Sequence, residues 1–152
     1  MKTRHFFLIL LIVNFSCTQT TVLSEEDKKA VETEIHQYID SLYKVFETVI
    51  PEDAFNFYLQ TDEFCAATQG QLMTNPSAVL DTMKVHMATM KNQSIKPVAD
   101  KIFVINKDAV VISTSKVTTI TFKNDSQVTA PFALTMLLVK REGNWKIAHY
   151  HN

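Results

Sequence analysis

The chain ends in WKIAHYHN, residues 145–152, with two histidines two positions apart. Two neutral imidazoles can ligate a metal ion if a third ligand converges on them. Either can also move a proton near neutral pH, because an unperturbed imidazole titrates near ~6.5. Side chains of a strand alternate between faces, so Trp145, Ile147, His149 and His151 share one face, while Lys146, Ala148 and Tyr150 share the other. A tryptophan ring left in water forgoes a large burial gain, and this reading therefore turns the Trp145 face inward. His149 and His151 then line a pocket, act there as acid and base, or close the end of a core with their hydrogen bonds satisfied. No HExxH helix, cysteine pair or acidic cluster offers a third ligand, so no metal and no other cofactor is expected.

Three other residues carry chemistry by type. His86 lies on the stripe Val79, Leu80, Met83, His86, Met87, Met90 and points toward whatever that helix packs on. Tyr43 repeats with Ile39, Phe46 and Ile50 at helical spacing, which suits an aromatic in a buried stripe. Cys65, within EFCAA, is expected to be a small core residue and not a nucleophile. Two glycines in the whole chain leave no phosphate cradle, and no nucleophile elbow is present.

The elements that must position these residues follow from periodicity. Ser24 before EEDKK supplies an N-cap with acids in the first turn, opening a helix over 24–50. Pro51 ends it and begins a second helix over 52–60 that carries Ala54, Phe57 and Tyr58 inward. A strand interrupted by Gly70 follows, and Asn75-Pro76 opens a third helix over 76–90. The period then falls to two. VADKIFVI, DAVVISTSKVTTITF, SQVTAPFALTMLLVKRE and NWKIAHYHN read as four strands joined by short turns, an antiparallel meander after segregated helices, hence an α+β fold. Pro131 suggests an edge position or a bulge within its strand.

The chain of 152 residues, 46% hydrophobic and 20% charged, suits one globular domain behind a leader. Lys2 and Arg4 precede an apolar run from Phe6 to Val13, the layout of a secretory signal peptide over 1–17 and too short to span a bilayer. Cys17 after Ser16 resembles the lipobox cysteine of bacterial lipoproteins, although Asn14 stands where that pattern prefers an aliphatic residue. The resemblance implies lipidation at Cys17, a short tether over 18–23, and an exported domain over 24–152 anchored to a membrane of the bacterial cell envelope. Lipidated Cys17 leaves Cys65 without an intramolecular partner. Removing 1–17 takes away Lys2 and Arg4 and no acid, which leaves 13 basic against 16 acidic residues, about −3. Nucleic acid is therefore not expected as a partner.

Three helices, a strand after the second, and a long meander closing on GNWKIAHYH resemble the nuclear transport factor 2-like superfamily, and within it bacterial SnoaL-like domains and the kinase II association domain. The resemblance implies a cone-shaped fold, three N-terminal helices packed on a strongly curved, mostly antiparallel sheet, with a pocket at the open end and dimerisation through the sheet. It also places the oxyanion tyrosine of the ketosteroid isomerases at Tyr43, their general base near Ala66 or Ala67, and their second acid near Thr135. Alanine and threonine cannot fill those last two roles. The expectation is a small, largely apolar ligand bound among Tyr43, Phe46, Phe57, Met83, His86, Trp145, His149 and His151. The alternatives are a hydrolase, lyase or isomerase using His149 and His151, and a non-catalytic homodimeric assembly module.

Overall fold

The structure, a computed structural model, describes residues 23–68 and 70–152. The leader, Cys17 and most of the tether lie outside the described residues, as does Gln69.

Helix α1, Glu25–Glu47, starts where the Ser24 hydroxyl accepts from the Asp27 amide at 3.0 Å, with Glu25, Glu26 and Asp27 in the first turn. Its buried stripe is Val31, Ile35, Ile39, Leu42 and Tyr43. The helix stops three residues short of the expected 50, because Val49 adopts a left-handed φ of 59° just ahead of Pro51. Helix α2 is a single turn, Pro51–Phe55, and not the element to residue 60 that its composition suggests. Beyond it the chain runs extended beside the last strand: the Ile147 amide donates to the Phe57 carbonyl and the Leu59 amide to the Ile147 carbonyl, each at 2.9 Å. A better set of backbone partners thus overrides helical continuation.

The interrupted strand is a hairpin of β1, Cys65–Thr68, and β2, Gln71–Met73, turned at Gly70 with φ +76°. Helix α3 is Pro76–Met87, opened by the Asn75 carboxamide accepting from the Ser77 amide at 3.0 Å. It ends before Met90, which begins a strand instead. Four long strands follow: β3 (Met90–Asn106), β4 (Ala109–Phe122), β5 (Gln127–Arg141) and β6 (Asn144–His151). Glu142 and Gly143, both at positive φ, make the two-residue turn between β5 and β6.

One six-stranded sheet results, in the order β2-β1-β6-β5-β4-β3, antiparallel throughout except for the parallel pair β1·β6. The curved, unclosed sheet carries the helices on its concave side, and the core lies between. Ile35, Val79, Val110, Ile112, Met136, Leu138 and Ile147 are all but sealed there. Pro97, without an amide hydrogen, sits on the edge strand β3. Pro131 lies in the part of β5 that β6 leaves uncovered, since their pairing runs only from Thr135 to Arg141.

A bulge in β6 matters most for function. Leu138 pairs with Ile147 and Leu137 with His149, so one step on β5 is matched by two on β6, with Ala148 the extra residue. The alternation shifts by one at that point. Tyr150 pairs with the inward Met136 and faces the interior, while His149 and His151 pair with Leu137 and Thr135 on the outer face. This corrects the expectation that both histidines follow Trp145 inward and that Tyr150 faces away.

Candidate functional site

Between α1, α3 and the concave face of the sheet opens a cavity of about 450 Å³. Leu42, Tyr43 and Phe46 come from α1; Val79, Thr82, Met83, His86 and Met87 from α3; Met136, Leu134, Phe132, Ala130 and Val128 from the inward face of β5. The floor is β4, whose even positions turn inward: Val110, Ile112 and Thr114 are buried, and Lys116, Thr118 and Ile120 continue the face into the cavity. Tyr58, Ile147 and Tyr150 close the inner side, and Val128 and Phe132, half-exposed, stand at the open side. The rim of β3 is tied to the end of α1: the Gln93 carboxamide donates to the Phe46 carbonyl, and the Ile95 amide donates to the Glu47 carboxylate at 2.7 Å.

Among the described residues no Asp or Glu side chain lines this cavity. Its one lysine, Lys116, has its ammonium 4.7 Å from the Tyr43 ring centroid and 5.4 Å from that of Phe132. None of the ion pairs among the described residues involves it. Burial alone pushes its pKa down to about 8. The Tyr43 hydroxyl shares a 2.9 Å hydrogen bond with the buried Thr114 hydroxyl. Burial raises the Tyr43 pKa, the Thr114 bond opposing, and it raises those of Tyr58 and Tyr150 as well. All three phenols are neutral at physiological pH and serve as hydrogen-bonding groups.

Of the residues singled out by sequence, Tyr43, Phe46, Met83 and His86 meet at the cavity, with His86 exposed at its mouth. Phe57 does not. The helix ends at Phe55 and a turn follows, so Tyr58 reaches the cavity while Phe57 packs at a tilt against Tyr38, centroids 5.3 Å apart. Trp145 is buried at the closed end, donating its indole N–H to Glu34 at 2.9 Å, while Lys140 reaches the same carboxylate at 2.6 Å. Lys140 and then Trp145 hold Glu34 below the usual carboxylate range.

On the outer face, His149 Nδ1 lies 3.0 Å from the Cys65 carbonyl and 3.3 Å from its sulfur. A hydrogen bond donated to the carbonyl fixes the proton on Nδ1, so that nitrogen is not a base for the thiol. His151 is exposed on that face, in a shallow depression with Lys101, Ser113 and Thr135. The two histidines therefore converge with neither each other's partners nor the cavity. Of the isomerase-like positions, Ala66 is buried and Thr135 is bonded to Ser113 at 2.9 Å, so neither supplies an acid or base to the cavity. Among the described residues no group of three His, Cys, Asp or Glu side chains is placed to hold a metal ion.

Lys116 and Tyr150 were missed by sequence reasoning. Tyr150 was hidden by the bulge. Lys116 had a signal, since Val110, Ile112, Thr114, Lys116, Thr118 and Ile120 form the more apolar face of their strand with one charge in its middle.

Helices seated in a curved, open sheet around an apolar cavity define a domain of the nuclear transport factor 2-like class. Residues 35–152 match the SnoaL-like domain family, and the chain belongs to it. Solved structures agree at the level of fold. A nuclear transport factor 2-like superfamily protein from Salmonella enterica serovar Typhimurium superposes with a TM-score of 0.72 at 17% identity, covering 82% of this chain and 90% of that one. A candidate scytalone dehydratase from Novosphingobium aromaticivorans gives 0.75 at 10% identity, covering 84% and 86%. A candidate calcium/calmodulin-dependent protein kinase II association domain from Xanthomonas campestris gives 0.67 at 16% identity, covering 78% and 83%. No curated protein matches the chain in sequence.

Proposed function

We propose that this SnoaL-like domain binds a small, largely apolar ligand in the cavity of its cone, and that it does so as an exported, lipid-anchored protein of a bacterial cell envelope. The observation that carries the binding reading is the cavity itself: about 450 Å³, walled by methionines, aromatics and aliphatics, and open to solvent at one side. Methionine side chains adapt to irregular guests, and Met73, Met83, Met87, Met90 and Met136 all reach this space. A filled cone would favour the assembly-module reading. Catalysis by a carboxylate pair has no residues in the cavity to perform it. The anchoring reading rests on the leader and Cys17.

One measurement addresses both parts. Native mass spectrometry of the chain extracted from membranes is expected to give a mass beginning at a lipidated Cys17, with additional small-molecule mass released on activation. An unlipidated product would remove the anchor, and a chain that carries nothing and takes up no hydrophobic probe would remove the binding function.

A further inference from the structure

We infer that the cavity's ligand is an amphipathic anion, a monocarboxylate whose head pairs with Lys116 while its apolar body fills the space beneath α3. This rests on the ligand-binding reading above and adds the chemical class of the guest.

The argument starts from a charge that lacks a counter-charge. Lys116 occupies the inward face of β4, opposite Phe132 on β5 and Pro97 on β3, none of which can offset an ammonium by ion pairing. Two aromatic faces flank it, and those interactions soften the desolvation cost without supplying a negative charge. A partly buried cation without an ion-pair partner is costly, and an anion entering the cavity would supply that partner. The count is one: among the described residues a single lysine and no Asp or Glu side chain line the cavity, which matches a single negative charge. Thr118 lies two residues along the same face and offers a hydroxyl to a carboxylate's second oxygen.

A second observation points the same way. Tyr58 is only 7% exposed and lines the cavity. Burial keeps its phenol neutral, so its hydroxyl is available as a hydrogen-bond donor. A neutral apolar guest would leave Lys116 without a counter-charge, and a cationic guest would be repelled.

The test uses the full chain and three probes of one apolar body: 4-phenylbutyrate, 4-phenyl-1-butanol and 4-phenylbutylamine, titrated calorimetrically. The acid is expected to bind about tenfold more tightly than the alcohol, as for a hydrogen-bonded charge pair, with the amine weakest. Lys116→Met should erase the acid's advantage while leaving the alcohol's affinity within about twofold, and Lys116→Arg should keep part of it. A reading on the unaltered protein guards against a variant that fails to fold. Acid affinity should fall as pH rises through about 8, and alcohol affinity should not. The other titratable groups lining the cavity are His86 on α3, Tyr43 on α1, Tyr58, and Tyr150 on β6, with Asp100 of β3 and Asp40 of α1 acting on Tyr43. The pH response should therefore persist in His86→Gln. Equal binding of acid and alcohol, or an acid preference that survives Lys116→Met, overturns the inference and leaves the pocket standing. Binding of none of the three overturns the pocket reading with it.

Discussion

Lys116 burdens the fold that holds it. Below pH 8 its ammonium is charged in both folded and unfolded chains, and the folded state bears the desolvation. Between about 8 and the ordinary lysine value of 10.5 the folded protein has released the proton while the unfolded chain still binds it. The unfolded state then carries more protons, so stability rises with pH across that window. Lys116→Met is accordingly expected to be more stable than the wild type at pH 7, by on the order of 2 kcal/mol. The gap should close as pH approaches 10.5, and urea unfolding of both proteins at pH 7, 8.5 and 10 measures it. A variant less stable at pH 7, or a gap that does not change with pH, contradicts this account. The same residue shows why the site was only half legible in the sequence. Tyr43, Phe46, Met83 and His86 sit on helices, where a period of 3.6 survives tertiary packing, and they reached the cavity. His149 and His151 were placed by strict alternation from Trp145, and one extra residue, Ala148, reversed their faces.

The elements differ in how firmly they enclose the ligand space, and that difference is measurable. α1 buries five side chains and is fastened to β3 through Phe46 and Glu47. α3 buries only Val79, Met83 and Met87 and is held to α2 by an exposed pair, Lys84 and Glu52, at 3.3 Å. Its start depends on the Asn75 cap, which also accepts from the Ser77 hydroxyl at 3.0 Å. The amides of α3 are therefore expected to exchange with solvent through local opening, well before those of β4, which has strand neighbours on both edges. Asn75→Ala should accelerate α3 exchange further, at a cost of about 1 kcal/mol to the helix. Hydrogen exchange read by mass spectrometry checks both. If α3 is protected as well as β4, this difference between the two elements is refuted. Sequence reading placed this helix by its Asn-Pro start and ran it on to Met90. It could not see that Met90 through Lys96 find sheet partners on β4, a gain that outweighs another helical turn. The second helix was overextended for the same reason, since Phe57 and Leu59 bond to β6.

At the scale of the molecule, the concave face is committed to the cavity and the convex face is left to solvent. Across the convex face the register aligns Phe103, Val111, Leu137 and His149 in one row over four strands. Phe103 is 54% exposed, with the Lys101 ammonium 5.8 Å from its ring. A neighbouring row of Lys101, Ser113, Thr135 and His151 is polar. An apolar row bordered by a polar one is self-complementary about a two-fold axis: the apolar rows of two copies cover each other while the polar rows form the rim. This is the surface on which the homodimer expected from the family resemblance would form, the occupant being a second copy of this chain. Sedimentation at micromolar concentration is expected to show a dimer, and Phe103→Glu should weaken it at least ~10-fold by placing a charge within the contact. Because Phe103 points away from the cavity, the same substitution should leave 4-phenylbutyrate binding unchanged, which separates loss of association from loss of fold. A wild-type chain that sediments as a monomer throughout, or a Phe103→Glu variant that dimerises as before, rules this face out as the contact.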